Sequence, residues 1–151
     1  MFDKKIALFN QSVENKDEAL FLLANEFVKI GVVEDNFLDG IIAREAVFPT
    51  GLELNNMGAA IPHTDPEYVK ENQIGFMTLE KPVVFQFMGD ISQEVEVSVI
   101  FMLALKEGHS QMEMLSKLMD LFMLDDVMDA LKKVKTYDEF YEIINKSGLI
   151  D

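Results

Sequence analysis

Three side chains in this sequence are both scarce and chemically apt at neutral pH: His63, His109 and Arg44. They are the only two histidines and the only arginine, beside 12 lysines. An imidazole of ordinary pKa is largely neutral near pH 7, so a ring nitrogen is free to act as nucleophile, base or metal ligand. A guanidinium grips phosphate or carboxylate through a planar fork that an ammonium cannot copy. Cysteine is absent, which removes thiolate nucleophiles, disulfides and cysteine-based zinc sites.

His63 stands in Gly58-Ala59-Ala60-Ile61-Pro62-His63-Thr64. Small residues let backbones approach closely, and Pro62 fixes its own φ and restricts Ile61, so the imidazole leaves a stiff turn. Attack on phosphorus needs such placement: a neutral ring nitrogen, a fixed direction and an in-line phosphoryl donor, with charge neutralisation supplying much of the rest. Both histidines follow expected strands, and ligand sites in α/β sheets form beyond the carboxyl ends of strands. Position alone is also compatible with two ordinary surface histidines, and by itself favours that reading.

Other chemistries leave little trace. There is no Gly-x-x-x-x-Gly-Lys-Ser/Thr phosphate loop and no Gly-x-Ser-x-Gly nucleophile elbow. His63-x-Asp65 with His109 further on has the residue types of a 2-His-1-carboxylate iron site. Oxygenases with that site are built on all-β jelly rolls, whereas this chain reads as rich in helix. The reading of first choice therefore has no metal and no cofactor.

A net charge of −14 disfavours nucleic acid and anionic membranes as partners. The only local basic excess, Lys132, Lys133 and Lys135, lies beside Asp125, Asp126, Asp129, Asp138 and Glu139. No apolar run approaches the roughly 18 residues of a membrane span, and the start of the chain lacks a signal-peptide core. Together with the missing cysteine this suggests a cytoplasmic protein without direct membrane insertion. Hydrophobic residues make up 49%, enough for a true core.

The elements that must position these residues read as one domain, 1–151, with no repeat or linker. A helix is expected over 17–30, with Leu20, Leu23, Phe27 and Ile30 at helical spacing, Asn15 and Glu18 at capping-box spacing, and Gly31 to end it. A second is expected over 34–48, stopped by Pro49 and Gly51 and carrying Arg44 in its last turns. Strands are expected at 57–62, 73–79, 83–88 and 95–105, the last turning wholly apolar as a strand covered on both faces does. After a loop at 106–109 comes a helix with Met112, Leu115, Leu118, Met119 and Phe122 on one stripe. Further helices are expected at 126–134 and after the Thr136–Glu139 capping box. Met112, Met119, Met123 and Met128 read as core and Met114 as off the stripe, although an adaptable methionine surface is the alternative. The fold class is α/β (α+β): a mixed β-sheet sandwiched between helices on both faces.

Ile42-Ala43-Arg44-Glu45-Ala46-Val47-Phe48-Pro49-Thr50-Gly51, followed by Ala60-Ile61-Pro62-His63, resembles the fructose/mannitol-type (type-2) enzyme IIA domain of the bacterial sugar phosphotransferase system. The spacing from arginine to histidine matches that family, and the likeness runs from about Ile6 to Ile144. The resemblance implies a sheet between helices, a phosphoryl group taken from the carrier HPr, and its delivery to a cysteine of a cognate enzyme IIB. IIB in turn serves a membrane enzyme IIC. It makes His63 the acceptor, through Nε2, although the sequence by itself leaves both ring nitrogens open. Arg44 becomes the phosphate-binding arginine. Glu45, Thr50 and Thr64, in or beside the motifs, are candidate neighbours of the phosphate.

One detail departs from the mannitol-type pattern, in which a second histidine precedes a hydrophobic helix as His-Leu-x-x-Leu. Matching that pattern to Met112–Leu115 puts Gln111 at the histidine's place, with His109 two residues earlier. Galactitol-type members resemble this sequence there, which favours that branch. His109 and Gln111 both remain candidates, and at least one is expected near His63. Transport is the first reading, as a stand-alone subunit because the chain ends with the domain. A regulatory relative that keeps the phosphohistidine and acts through partner binding is the alternative.

Overall fold

A long antiparallel hairpin carries the architecture of the computed structural model, which describes residues 1–150. Its arms are β4 (Gln73–Phe87) and β5 (Asp90–Ala104); the elements before it are β1 (Ala7–Gln11), α1 (Lys16–Ile30), α2 (Phe37–Val47), β2 (Gly51–Glu53) and β3 (Gly58–Ala60), and those after it are α3 (Gly108–Phe122), α4 (Asp125–Lys133) and α5 (Tyr137–Lys146). β1 runs parallel to β4 on one side, β3 parallel to β5 on the other, and β2 pairs with β3 and touches the end of β4 at Phe87. The result is one mixed five-stranded sheet.

The expected strands 73–79 and 83–88 are a single strand. Pairing with β5 skips from Thr78 to Val83, and Pro82 lies inside that gap, where its missing N–H costs no ladder bond. β1 and β2 were not expected at all, since neither segment alternates and β2 has three residues.

Both faces of the sheet are covered. α1 and α2 pack Leu20, Leu23, Phe27, Phe37 and Ile41 on Met77, Leu79, Ile100 and Met102. α3, α4 and α5 pack Leu118, Phe122, Leu131, Phe140 and Ile144 on Ile74, Phe76, Val99, Phe101 and Leu103. Residues 99 to 104 thus alternate strictly between two dry layers, which is why that stretch is apolar throughout. α1 begins where expected: Asn15 Oδ1 accepts from the Glu18 amide at 2.9 Å, and Gly31 ends the helix at φ 84°.

The buried arc of α3 is a correction. Met114, Leu118, Leu121 and Phe122 face the core, while Met112 (73% exposed), Met119 and Met123 face water; Met128, in α4, is buried. The 3.6-residue period is right and its phase is shifted. Leu118 and Phe122 of the expected stripe are buried and Leu115 packs partly against the core, but the apolar methionines 112 and 119 pull the apparent stripe toward the wet side and away from Met114 and Leu121.

β3 approaches β5 closely: a Cβ on Gly58 would lie 2.1 Å from the Glu96 carbonyl oxygen. Pairing continues past the strand's end, because the Leu103 amide donates to the Pro62 carbonyl at 3.0 Å and His63 bridges Leu103 in parallel. The backbone that presents His63 is therefore an extension of the sheet.

Phe140 stacks on Phe76 at 4.3 Å between ring centres and also meets Phe101, Phe2 and Tyr137. Phe140→Ala is expected to lower stability by about 3–5 kcal/mol, whereas Met123→Gln should change it by less than about 0.5 kcal/mol. Denaturant titration of both variants checks the layer assignment; comparable losses would contradict it.

Candidate functional site

His63 is 8% exposed, more enclosed than a docking nucleophile at the open surface would be. Its Nδ1 lies 2.8 Å from the carbonyl oxygen of Ile61, two residues back. A carbonyl can only accept, so the neutral ring carries its proton on Nδ1 and keeps the lone pair on Nε2. Burial holds the imidazole pKa below its ordinary value, and the nearby Arg44 charge pushes the same way, against the Ile61 bond and Asp65. At neutral pH the ring is neutral, with a fixed tautomer and a bare Nε2. It lines a cleft of about 290 Å³ together with Val47, Phe48, Pro49, Thr50, Met88, Gly89, Asp90 and Ile91. Val47, Phe48 and Ile91 are more than half exposed, giving the cleft an apolar rim.

Arg44, in the last turn of α2, leans over this region. Its Nη1 donates to Asp65 Oδ1 at 3.1 Å, and its guanidinium carbon stands 4.9 Å from the centre of the Phe48 ring. Its Nε is buried without a hydrogen-bond partner among the described residues. A buried donor left unbonded costs free energy that an incoming anion would recover.

Beneath the site runs a polar chain. Glu45, 2% exposed, accepts from the Thr50 amide (Oε2, 2.7 Å) and the Thr50 hydroxyl (Oε1, 2.8 Å). Thr50 Oγ1 accepts from the Ile61 amide at 3.1 Å. Ile61 is thus held through its N–H by Thr50 while its carbonyl holds His63. Thr50 therefore both borders the cleft and, with Glu45, holds the backbone under the histidine, whereas Arg44 meets the cleft through its contact with the Phe48 ring.

Gln111 and Thr64 secure the loop on the far side of His63. Gln111 Nε2 donates to the Thr64 carbonyl at 2.9 Å. Thr64 is 3% exposed and packs on α2 where Gly40 leaves room; a Cβ there would lie 2.8 Å from Thr64 Oγ1. His109 is not brought in. Its side chain is 87% exposed and its Nε2 lies 3.7 Å from Glu113, one turn along α3 on the arc away from Gln111. No group of three His, Asp or Glu side chains converges as a metal cage would require among the described residues, and Asp65 is paired with Arg44, so His63, Asp65 and His109 do not form the iron-type triad.

Sequence reasoning missed the Asp65 pairing with Arg44, the stacking of Phe48 and the contribution of Met88 and Ile91. A larger cavity of about 690 Å³, bordered by Phe2, Met114, Tyr137 and Leu149, contains none of these residues.

Burial raises the Glu45 pKa from 4.5 to about 7, against the two Thr50 hydrogen bonds. Below the unfolded value the group is protonated in both states and pH has no effect through it. Above that value the unfolded chain ionises first, so the native state loses relative stability until pH passes about 7. The loss amounts to about 3 kcal/mol. Glu45→Gln should therefore gain on the wild type by about that much between pH 4 and pH 8. A pH-independent difference in denaturation free energy would contradict a titrating Glu45.

Residues 1–147 match the family described as phosphoenolpyruvate-dependent sugar phosphotransferase system, EIIA 2. The galactitol-specific EIIA component of Escherichia coli K12 is 32% identical over 120 residues, spanning 80% of this chain and 79% of that protein. The crystal structure of a putative PTS IIA domain from Streptococcus pyogenes M1 GAS superposes with a TM-score of 0.81 at 25% identity, over 97% of this chain and 92% of that one. Escherichia coli enzyme IIAMtl, in its complex with phosphorylated enzyme IIBMtl, superposes with a TM-score of 0.73 at 22% identity, over 92% and 94% of the chains, and shares the fold. The arginine and histidine motifs, the helix-covered mixed sheet and the match along nearly the whole chain agree: the protein belongs to the EIIA 2 family of the phosphoenolpyruvate-dependent sugar phosphotransferase system.

Proposed function

We propose that this protein is a phosphocarrier that accepts a phosphoryl group from phospho-HPr on His63 Nε2 and passes it to a cysteine of a cognate enzyme IIB. The observation that carries this reading is the Nδ1 contact to the Ile61 carbonyl, which leaves Nε2 as the nitrogen with a lone pair. The transfer balances without an added base. The Nε2 electron pair forms the new P–N bond, the pair of the broken bond stays with the donor's imidazole nitrogen, and the Nδ1 proton stays on His63. Delivery to a thiolate reverses the sequence. Arg44 offsets the charge on the transferring group.

The apolar rim of Val47, Phe48 and Ile91 suits protein partners that bury their own reactive side chain against it. The complex of Escherichia coli IIAMtl with phosphorylated IIBMtl supports IIB as one of them. IIC enters only indirectly, through IIB, and no helix of the described residues is long and apolar enough to cross a membrane. We place the protein in the cytoplasm, where its partners would meet it. The likeness to galactitol-specific EIIA makes galactitol the first sugar to test.

Incubation with phosphoenolpyruvate, enzyme I and HPr should add one phosphoryl group, lost in mild acid and stable in alkali as a P–N bond is. His63→Ala should abolish the label; wild-type labelling of that variant would place the acceptor elsewhere. His109→Ala should still accept phosphate. Arg44→Lys should slow transfer by about 2–4 kcal/mol of barrier, by analogy with a lost oxyanion donor; an unchanged single-turnover rate would remove Arg44 from the mechanism. A protein that takes the label but hands none to any IIB would be the regulatory relative instead.

A further inference from the structure

We propose that Asp65 is a third functional side chain of this site: a latch that holds Arg44 in the free protein, yields it to the phosphoryl group, and so sets how readily that group is passed on. The inference rests on the carrier reading above and deepens it. An exposed ion pair by itself contributes little, about 0–1 kcal/mol of stability, so the case depends on where this pair sits.

Arg44 is held from two sides without being saturated. Nη1 is bonded to Asp65 at 3.1 Å, the Phe48 ring lies under the guanidinium at 4.9 Å, and Nε has no partner. Asp65 is two residues beyond the nucleophile on a loop whose Thr64 carbonyl is fixed by Gln111. It therefore keeps its place relative to His63 whether or not Arg44 is bound. Both charges are felt at the imidazole, Arg44 disfavouring its cation and Asp65 favouring it.

The phosphoryl group brings a charge of about −2 and three acceptor oxygens to Nε2. It offers the guanidinium a bidentate partner and an acceptor for Nε, more than one carboxylate oxygen can. Arg44 then swings from Asp65 to the phosphoryl group, and Asp65 is left unpaired beside a dianion. Binding linkage is reciprocal, so what the phosphoryl group does to the Arg44–Asp65 pair, that pair does to the phosphoryl group. The carboxylate weakens retention, which suits a carrier that must give up its cargo, and it returns to Arg44 once the P–N bond has moved to the acceptor.

The test is the equilibrium between phospho-HPr and this protein, followed by ³¹P NMR after full labelling, together with the ¹⁵N–¹H signal of Arg44 Nε. Asp65 is 58% exposed at its side chain, so its substitution leaves the core intact. Asp65→Asn should shift the equilibrium about five- to tenfold toward this protein and slow onward transfer to the IIB cysteine. Asp65→Glu, which keeps the charge, should return it toward the wild type. In the wild type the Arg44 Nε signal should move on phosphorylation. An equilibrium unchanged in Asp65→Asn, or an Arg44 signal unmoved by phosphorylation, would overturn the latch while leaving the carrier reading in place. Absence of label on wild-type His63 would overturn the carrier reading itself.

Discussion

The 2.8 Å hydrogen bond from His63 Nδ1 to the Ile61 carbonyl is the contact on which the rest of the site depends. It fixes the tautomer, since the acceptor cannot donate, and it fixes the ring's direction. The carbonyl is itself held by structure that reaches far from the site. The Ile61 amide is bonded to Thr50, Thr50 is bonded twice to the buried Glu45, and the next carbonyl, of Pro62, is bonded to Leu103 in β5. An imidazole aimed in this way would need no general base to attack phosphorus in the proposed transfer, and its burial favours the uncharged ring.

Electrostatics at this site are local. A chain of net charge −14 is a poor general host for a phosphoryl dianion, and its 12 lysines do not bring a second cation to the imidazole in any contact described above. One guanidinium, braced by Phe48 and Asp65 and with a donor unspent, is the cation that the proposed transfer would draw on. Glu45 lies close below, yet the cost of ionising it in a dry place leaves it partly protonated near neutrality, which limits the negative charge under the ring.

Much of this was legible in the sequence, for identifiable reasons. Arg44 and His63 stood out because their residue types are scarce, and the stiff Ile61-Pro62-His63 turn pointed to a placed imidazole. The caps at Asn15 and Thr136 are local interactions, and both form as the spacing suggests. Gln111 reaches the backbone next to His63, and His109 turns to water, a choice made by the phase of α3. That phase was misread because apolar methionines lie on both arcs. The Ile61 carbonyl has no sequence signature, because every residue carries the same backbone oxygen. The pairing of Arg44 with Asp65, 21 residues apart, and of β1 with β4 across the chain are products of tertiary folding. Pro82 read as a strand break because a proline signals lost pairing without saying whether the partner strand needed it.

The state of the two His63 ring nitrogens tests the account most directly. Long-range ¹H–¹⁵N correlation on protein with labelled histidine, before and after phosphorylation, reads each nitrogen separately. The expected result is a free ring with the proton on Nδ1 and a bare Nε2, and a phosphorylated ring with phosphorus on Nε2 and the Nδ1 proton unmoved. A free ring protonated on Nε2, or phosphorus on Nδ1, would contradict it.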